Sequence, residues 1–257
     1  MSTKEKISPL IHGIIAGVLV INGWYLSSLA MVERVVPQYF NTIIDIGLVL
    51  TGAYIAYLFR AIEQKKEKDK IKKAAFNRCI VTDIRQIEIL RSLFLDLPEW
   101  SEINELKISI EAVPFFLPDY LGVTHDLESL NFLIEYMETD KYIAASISQE
   151  SFDQAIHTIR ARSSYFDKEI VPISANLEEN EIPANLRNVE KALGIESKRR
   201  LIHLTKEMYV VVPRNIKILE RHLDEIFICA KNHFPDSRFA YWKGETPPHL
   251  KITEESP

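Results

Sequence analysis

The sequence predicts an all-α protein with an amino-terminal two-helix transmembrane hairpin, followed by a mainly helical cytoplasmic bundle. Three observations predict this fold. Residues 7–32 form a run of 26 positions without Asp, Glu, Lys or Arg. A second apolar segment, residues 38–59, follows after a short connector. Beyond it, apolar residues recur mainly at intervals of three and four, which is the spacing of helices that bury one face.

The first apolar segment is long enough to be a membrane span, because a helix needs about 20 apolar residues to cross the hydrocarbon core of a bilayer. A cleaved signal peptide is the alternative, since Lys4 and Lys6, the apolar run and Ser28-Leu29-Ala30 imitate its three parts. The run is longer than a usual signal-peptide core, and a second span follows it at once. We therefore interpret residues 1–60 as a transmembrane hairpin.

The second segment is less uniform. Pro37 suits the first position of a helix, and the 22 residues 38–59 would extend roughly 33 Å. Asp45 interrupts this segment at about the depth of Asn22 in the first one. We expect Asp45 to hydrogen-bond there or to reach the outer surface. The alternative is that assembled hairpins place Asp45 on a water-filled path, because intramembrane charges usually have a partner or a function.

The distribution of basic residues predicts the orientation. Lys4 and Lys6 precede the first span, whereas the connector carries one Arg and one Glu. A basic collar follows the second span and contains Lys65, Lys66, Lys68, Lys70, Lys72 and Lys73. The positive-inside rule then places both termini in the cytoplasm of a multi-pass inner-membrane protein. The collar also suits anionic lipid head groups.

Small residues on the spans suggest close helix packing. Gly13 and Gly17 form a small-xxx-small pair, and Gly23 and Gly52 add further small positions. Such residues let helix backbones approach each other. They could pack the two spans of one hairpin together or join hairpins of different subunits, and the second alternative predicts a homo-oligomer.

The collar is expected to continue as a stalk helix over residues 61–97. Its apolar residues follow helical spacing, and Pro98 would end it. The stripe consists of Phe76, Ile80, Ile84, Ile87, Leu90, Phe94 and Leu97.

Residues 98–257 are expected to form the helical cytoplasmic domain. Residues 101–113 fit either a strand or a helix, residues 127–137 a short helix, and residues 151–170 a longer helix followed by a polar loop over 172–182. Pro183 would open a further helix that Gly194 ends. Two last helices would follow, with a kink or a split at Pro213. The aromatic residues near 239–242 would dock on the bundle or bind a partner.

The sequence predicts no catalytic, cofactor or metal site. The glycines after the hairpin are isolated, which excludes a phosphate-binding loop. Cys79 and Cys229 fit reduced core positions rather than a disulfide or zinc framework. His125-Asp126 lacks matching ligands, so a helix start is the better interpretation, and His222 is expected near the seam of the bundle. Arg199, Arg200 and His203 do not match the spacing of helical RNases.

Charge and layout together give the functional hypothesis. Residues 79–257 carry a net charge of −10, so direct nucleic-acid binding is not expected. The spans and the collar Lys65–Lys73 resemble in layout the two-transmembrane effectors of bacterial retron anti-phage systems. This resemblance implies a non-enzymatic toxin, restrained by a reverse transcriptase with its RNA–DNA hybrid, that damages the inner membrane when released. The alternative is a membrane-tethered scaffold or sensor that recruits a cytoplasmic protein.

Overall fold

The computed structural model describes residues 17, 20, 21, 23–25, 27–29, 31, 39–95, 97–112, 114, 115 and 123–241. Within these ranges the chain is helical and contains no β-strand, which confirms the predicted all-α class. The side chains of residues 39–46 are outside the description, as are Gly13 and Asn22. The predictions for Gly13, Asn22 and the Asp45 side chain therefore fall outside the described part.

The chain divides into two compact units, residues 1–68 and residues 69–257. In the first unit, the described residues between 17 and 31 are helical, and helix α1 begins at Tyr39. None of the described side chains of this unit is buried. Over the residues with described side chains, no helix combines the length and apolar character that crossing a bilayer requires.

Helix α1 spans Tyr39–Leu95 without interruption. It therefore includes residues 39–59 of the predicted second apolar segment, the basic collar and most of the stalk, and it ends three residues before Pro98. Towards its carboxyl end, α1 contributes the predicted apolar stripe to the core of the second unit, where Phe76, Ile80 and Leu90 are fully buried. Helix α1 thus covers residues 61–95 of the segment predicted as collar and stalk helix.

The second unit continues with short helices and two long ones. A 3₁₀ turn, Glu102–Asn104, leads into α2, Glu105–Glu111, so the segment that fitted strand or helix is helical. A second 3₁₀ turn, Glu128–Leu130, precedes α3, Phe132–Glu135. Helix α4 spans Thr139–Glu179, α5 spans Leu186–Ala192, and α6 spans Ile195–His233.

Two prolines at which the sequence predicts a loop or a helix split lie inside continuous helices. The loop expected over residues 172–182 is mostly helix, because α4 passes through Pro172 and ends at Glu179. Ile173 and Leu177 continue the apolar face of α4 and pack against a small core of Ile170, Val189, Leu193 and Leu201. This packing offsets the hydrogen bond that Pro172 removes, which costs about 3 kcal/mol in an isolated helix.

Pro213 likewise does not split the last helix, since it lies inside the continuous α6. Met208 and Val212 on one side of Pro213 and Ile216 and Leu219 on the other are all buried in the main core. A continuous apolar face on both sides therefore keeps the helix in one piece. Gly194 does not end α5 but caps the start of α6.

The main core fills the space between the end of α1, α3, α4 and α6, and α4 and α6 pack extensively against each other. The aromatic residues near the carboxyl terminus dock on this bundle. Phe239 lies edge-on to Phe76 with ring centroids 6.3 Å apart, and Tyr241 lies 4.3 Å from Phe227. The docking alternative is therefore the observed one for these two residues.

Candidate functional site: a buried Cys-Asp-His-His cluster

Four side chains with metal-binding or acid–base chemistry meet inside the second unit. Cys79 and Asp83 come from α1, His125 from the segment that precedes the second 3₁₀ turn, and His222 from α6. One donor atom of each lies within 4.8 Å of the others. Each residue is at most 9% exposed. We refer to these four residues as the buried cluster.

Helix geometry explains why two of the four cluster residues lie side by side. Cys79 and Asp83 are four residues apart on α1, so their side chains project from the same face. That face is the one carrying Phe76, Ile80 and Ile87 into the core. Asp83 is therefore drawn into the interior by its apolar neighbours, and its carboxylate has to find partners there because burying an unpaired charge is costly.

Asp83 stands at the centre of the contacts. Its Oδ1 accepts a hydrogen bond from the Ser148 hydroxyl at 2.9 Å and lies 3.1 Å from His125 Nε2. Its Oδ2 lies 2.8 Å from His222 Nδ1. Burial is the largest influence on the pKa of Asp83 and would raise it. Together, the contacts with His125 and His222 outweigh the effect of burial and hold the pKa of Asp83 below its usual value.

Cys79 completes the cluster on the other side of His125, with its Sγ 3.5 Å from His125 Nδ1. Burial, followed by the charge of Asp83, raises the pKa of the Cys79 thiol well above its ordinary value. The thiol is therefore protonated at neutral pH unless a positive partner replaces its proton.

Several polar atoms of the cluster are not satisfied by hydrogen bonds. Both ring nitrogens of His222 and Oδ2 of Asp83 are buried without an aligned partner. The 2.8 Å contact between His222 Nδ1 and Asp83 Oδ2 is short in distance but does not have hydrogen-bond alignment. Atoms of this kind are uncommon inside proteins, and each calls for an explanation.

Neighbouring amides hold the segment that carries His125. The backbone N–H of His125 donates to Gln149 Oε1 at 2.9 Å. Gln86 Nε2 donates to the same oxygen at 3.0 Å and to the carbonyl of Val123 at 2.8 Å. Helices α1 and α4 thereby fix the position of His125 from two sides.

In a second group, Cys229 is buried while Glu138 and His233 are half-buried. Glu138 Oε2 is 2.8 Å from His233 Nε2 and 3.1 Å from Cys229 Sγ. Burial is the main cause that raises the pKa of Cys229 to about 12. Each of these donor atoms already has a partner within the group, so the group is an ordinary hydrogen-bonded arrangement.

The described site residues that the sequence predicts lie outside the buried cluster. Within the collar, Lys65, Lys66, Lys68 and Lys70 are exposed. Lys72 donates to the Tyr136 hydroxyl at 2.6 Å and lies 4.2 Å from the centre of that ring. Lys73 Nζ lies 5.0 Å from the centre of the Phe234 ring. The last two lysines of the collar therefore contact aromatic side chains of the second unit.

Three of the four predicted helix-packing glycines lie within the described part of the chain. A methyl group placed on Gly17, Gly23 or Gly52 would meet no described atom within 4 Å. Arg199, Arg200 and His203 are exposed on α6, and Arg200 lies over the Tyr165 ring.

Sequence reasoning identified His222 as a seam residue but did not connect it with the other members of the cluster. The sequence around His125 favours a helix start instead of a ligand. The one usable signal was the i, i+4 pair Cys79 and Asp83 on an apolar stripe, where a carboxylate needs partners. Comparison with protein-family models, with curated proteins and with solved structures gives no match for this chain.

Proposed function

We propose that this protein is a membrane-anchored, non-enzymatic effector that damages the bacterial inner membrane, of the kind that serves anti-phage defence. The proposal includes an inner-membrane location, with the hairpin of residues 1–60 spanning twice and both termini cytoplasmic. Its partners are membrane lipids, further copies of the chain and a regulatory protein, which the retron resemblance makes a reverse transcriptase with its RNA–DNA hybrid.

The observation that carries the proposal is the exposure of apolar side chains in residues 1–68. Trp24 is 77% exposed, Met31 83%, Val49 71% and Phe59 66%. In water such surfaces would be unfavourable by about 25 cal/mol per Å² of apolar area. Large exposed apolar patches indicate a membrane or protein partner, and the uncharged run of residues 7–32 favours lipid.

Charge supports the same assignment. The exposed lysines at positions 65, 66, 68 and 70 follow directly after the apolar part of α1, where anionic head groups would attract them. The open surroundings of Gly17, Gly23 and Gly52 leave room for the close approach of another helix. We therefore favour assembly of hairpins through these positions as the route to membrane damage.

The test is expression of the full chain in bacteria, with growth, entry of a membrane-impermeant dye and resistance of the chain to alkaline extraction as readouts. The effector proposal predicts growth arrest with dye entry. Val49→Lys places a charge near the middle of the proposed second span, at a cost of about 3 kcal/mol, and should reduce both membrane retention and dye entry.

The matched control is Ile71→Lys, on the same helix and also exposed at 58%, but beyond the apolar segment. It should behave as the unchanged protein. A full chain that alkaline washing releases would contradict the membrane anchor. A chain that stays in the membrane without dye entry would contradict the effector and favour the tethered scaffold.

A further inference from the structure

We propose that Cys79, Asp83, His125 and His222 bind one transition-metal dication, and that their donor set selects zinc. This inference concerns the second unit alone and does not depend on the proposed membrane activity. It also departs from the sequence analysis, which predicted no metal site.

The four side chains lie close enough together to surround one tetrahedral ion. With zinc–ligand bonds of about 2.0–2.3 Å, ligand atoms around zinc lie roughly 3.3–3.8 Å apart. In the buried cluster, His222 Nδ1 lies 2.8 Å from Asp83 Oδ2, while His125 approaches Asp83 Oδ1 through Nε2 at 3.1 Å and Cys79 Sγ through Nδ1 at 3.5 Å. A single ion takes only one nitrogen of His125, so the His125 ring would have to shift towards the other ligands. All four donors lie within 4.8 Å of one another, so small side-chain movements would complete the coordination.

The unsatisfied atoms point to the same ligand. His222 is 4% exposed and its Nε2 has no hydrogen-bond partner, while its Nδ1 and Asp83 Oδ2 lie 2.8 Å apart without hydrogen-bond alignment. A buried polar atom left without a partner costs about 1–3 kcal/mol. A cation bound between His222, Asp83, His125 and Cys79 would give both residues a ligand bond in place of this poorly aligned contact.

The surroundings have the outer contacts that metal sites use. Metal-ligating residues are usually oriented by a second set of hydrogen bonds. Ser148 fixes the carboxylate of Asp83 through Oδ1, which leaves Oδ2 for an ion. Gln149 fixes the backbone of His125, and Gln86 in turn fixes Gln149. The ligands are therefore held by residues that do not themselves coordinate.

The chemistry of the donors decides the ion. One thiolate, two imidazoles and one carboxylate suit zinc, whereas calcium and magnesium require oxygen ligands. Four protein ligands in a fully buried position describe a closed, structural zinc site rather than a catalytic one, because a catalytic zinc keeps an open position. Bound zinc would join α1 and α6 to the segment that carries His125.

The experiment uses the full chain purified in detergent and stripped with a chelator. Titration with zinc chloride, and in parallel with cobalt(II) chloride, should give one ion per chain. Cobalt should produce a thiolate charge-transfer band and visible bands of tetrahedral intensity. Zinc should also raise the thermal midpoint of the stripped protein, and this readout requires no variant.

Cys79→Ser and His222→Gln are near-isosteric changes that should each weaken zinc binding at least tenfold, and Cys79→Ser should abolish the thiolate band. Cys229→Ser is the matched control, since it removes the other buried cysteine, and it should retain the band. The proposal is overturned if wild-type protein shows neither cobalt bands nor a thermal shift. It is also overturned if Cys229→Ser loses the band while Cys79→Ser keeps it.

Discussion

Arg162 is among the largest side chains that are completely buried within the described ranges. Its guanidinium donates to the carbonyls of Ser109, at 3.0 Å, and Ala112, and its Nη1 has no partner there. Burial is the main cause that lowers the pKa of Arg162 to about 10. Arg162, on α4, thus holds the end of α2 in place by donating to carbonyls there. Asp83 has a similar role between α1 and α6, because it too is a buried charged group that contacts polar groups of other elements.

We expect Arg162→Lys to destabilise the protein by about 1–3 kcal/mol, because a lysine cannot satisfy two carbonyls in the planar geometry of a guanidinium. Urea unfolding followed by circular dichroism measures this change. Arg187→Lys, at an exposed position of α5, is the control and should lie within about 0.5 kcal/mol of wild type. Equal stabilities of the two variants would refute the role given to Arg162.

Tyr209 allows a prediction about pH. Its hydroxyl donates to the carbonyl of Pro98 at 2.6 Å, and burial raises its pKa to about 12. In the unfolded chain the phenol ionises near pH 10. Its contribution to the free energy of unfolding is therefore complete below pH 10 and is lost as the pH rises towards 12.

Tyr209→Phe should cost about 1 kcal/mol at pH 8 through the lost hydrogen bond. The stability difference between wild type and this variant should then decrease as the pH rises from 10 to 12. Urea midpoints of both proteins at pH 8 and 11 measure this change. A difference that stays constant over that range would show that the phenol titrates alike in the folded and unfolded states.

At the scale of elements, α5 shows how a short helix depends on its cap. The helix has only seven residues, Leu186–Ala192, and Asn185 Oδ1 accepts a hydrogen bond from the backbone N–H of Asn188 at 3.0 Å. Val189 anchors it in the smaller core. Because so few backbone hydrogen bonds lie within α5, the cap is a large share of its stability.

Asn185→Ala should destabilise the second unit by about 1 kcal/mol, the usual cost of removing a cap. Asn185→Ser keeps an oxygen that can accept the same hydrogen bond and should recover most of this loss. Differential scanning calorimetry of the two variants beside wild type tests the prediction. If alanine and serine destabilise equally, the cap hydrogen bond is not the cause.

The sequence could predict the long helices because their apolar residues repeat with helical spacing, as Phe76, Ile80 and Ile84 do in α1. It failed at Pro172 and Pro213, because a proline's local effect is visible in the sequence while the tertiary packing that outweighs it is not. The buried cluster was missed for a related reason. His125 and His222 are far from Cys79 in the chain, and no local spacing links them.

At the scale of the whole molecule, the two units differ in where their apolar side chains lie. The core of residues 69–257 includes Phe76, Ile159 and Leu219, each buried. By contrast, the described side chains of residues 1–68 are exposed or half-buried. This contrast indicates that the second unit contains the interactions that its own folding requires.

A chain of residues 69–257 should therefore fold without detergent and unfold in a single cooperative transition, while the full chain should require detergent to stay dispersed. Circular dichroism and size-exclusion chromatography of both proteins test this expectation. Under the proposed function, the shorter chain should also be harmless when expressed. Aggregation of the shorter chain without detergent would show that residues 1–68 contribute to its core.

The contact between Asp83 and His222 also has a consequence for synthesis on the ribosome. Asp83 leaves the exit tunnel early, but the histidine that lies 2.8 Å from its carboxylate belongs to the final long helix. Throughout most of translation the nascent chain must keep this aspartate hydrated. Polypeptides released by a premature stop codon before α6 should consequently be degraded rather than accumulate, since Asp83 would keep only its Ser148 and His125 contacts and the core would lack α6.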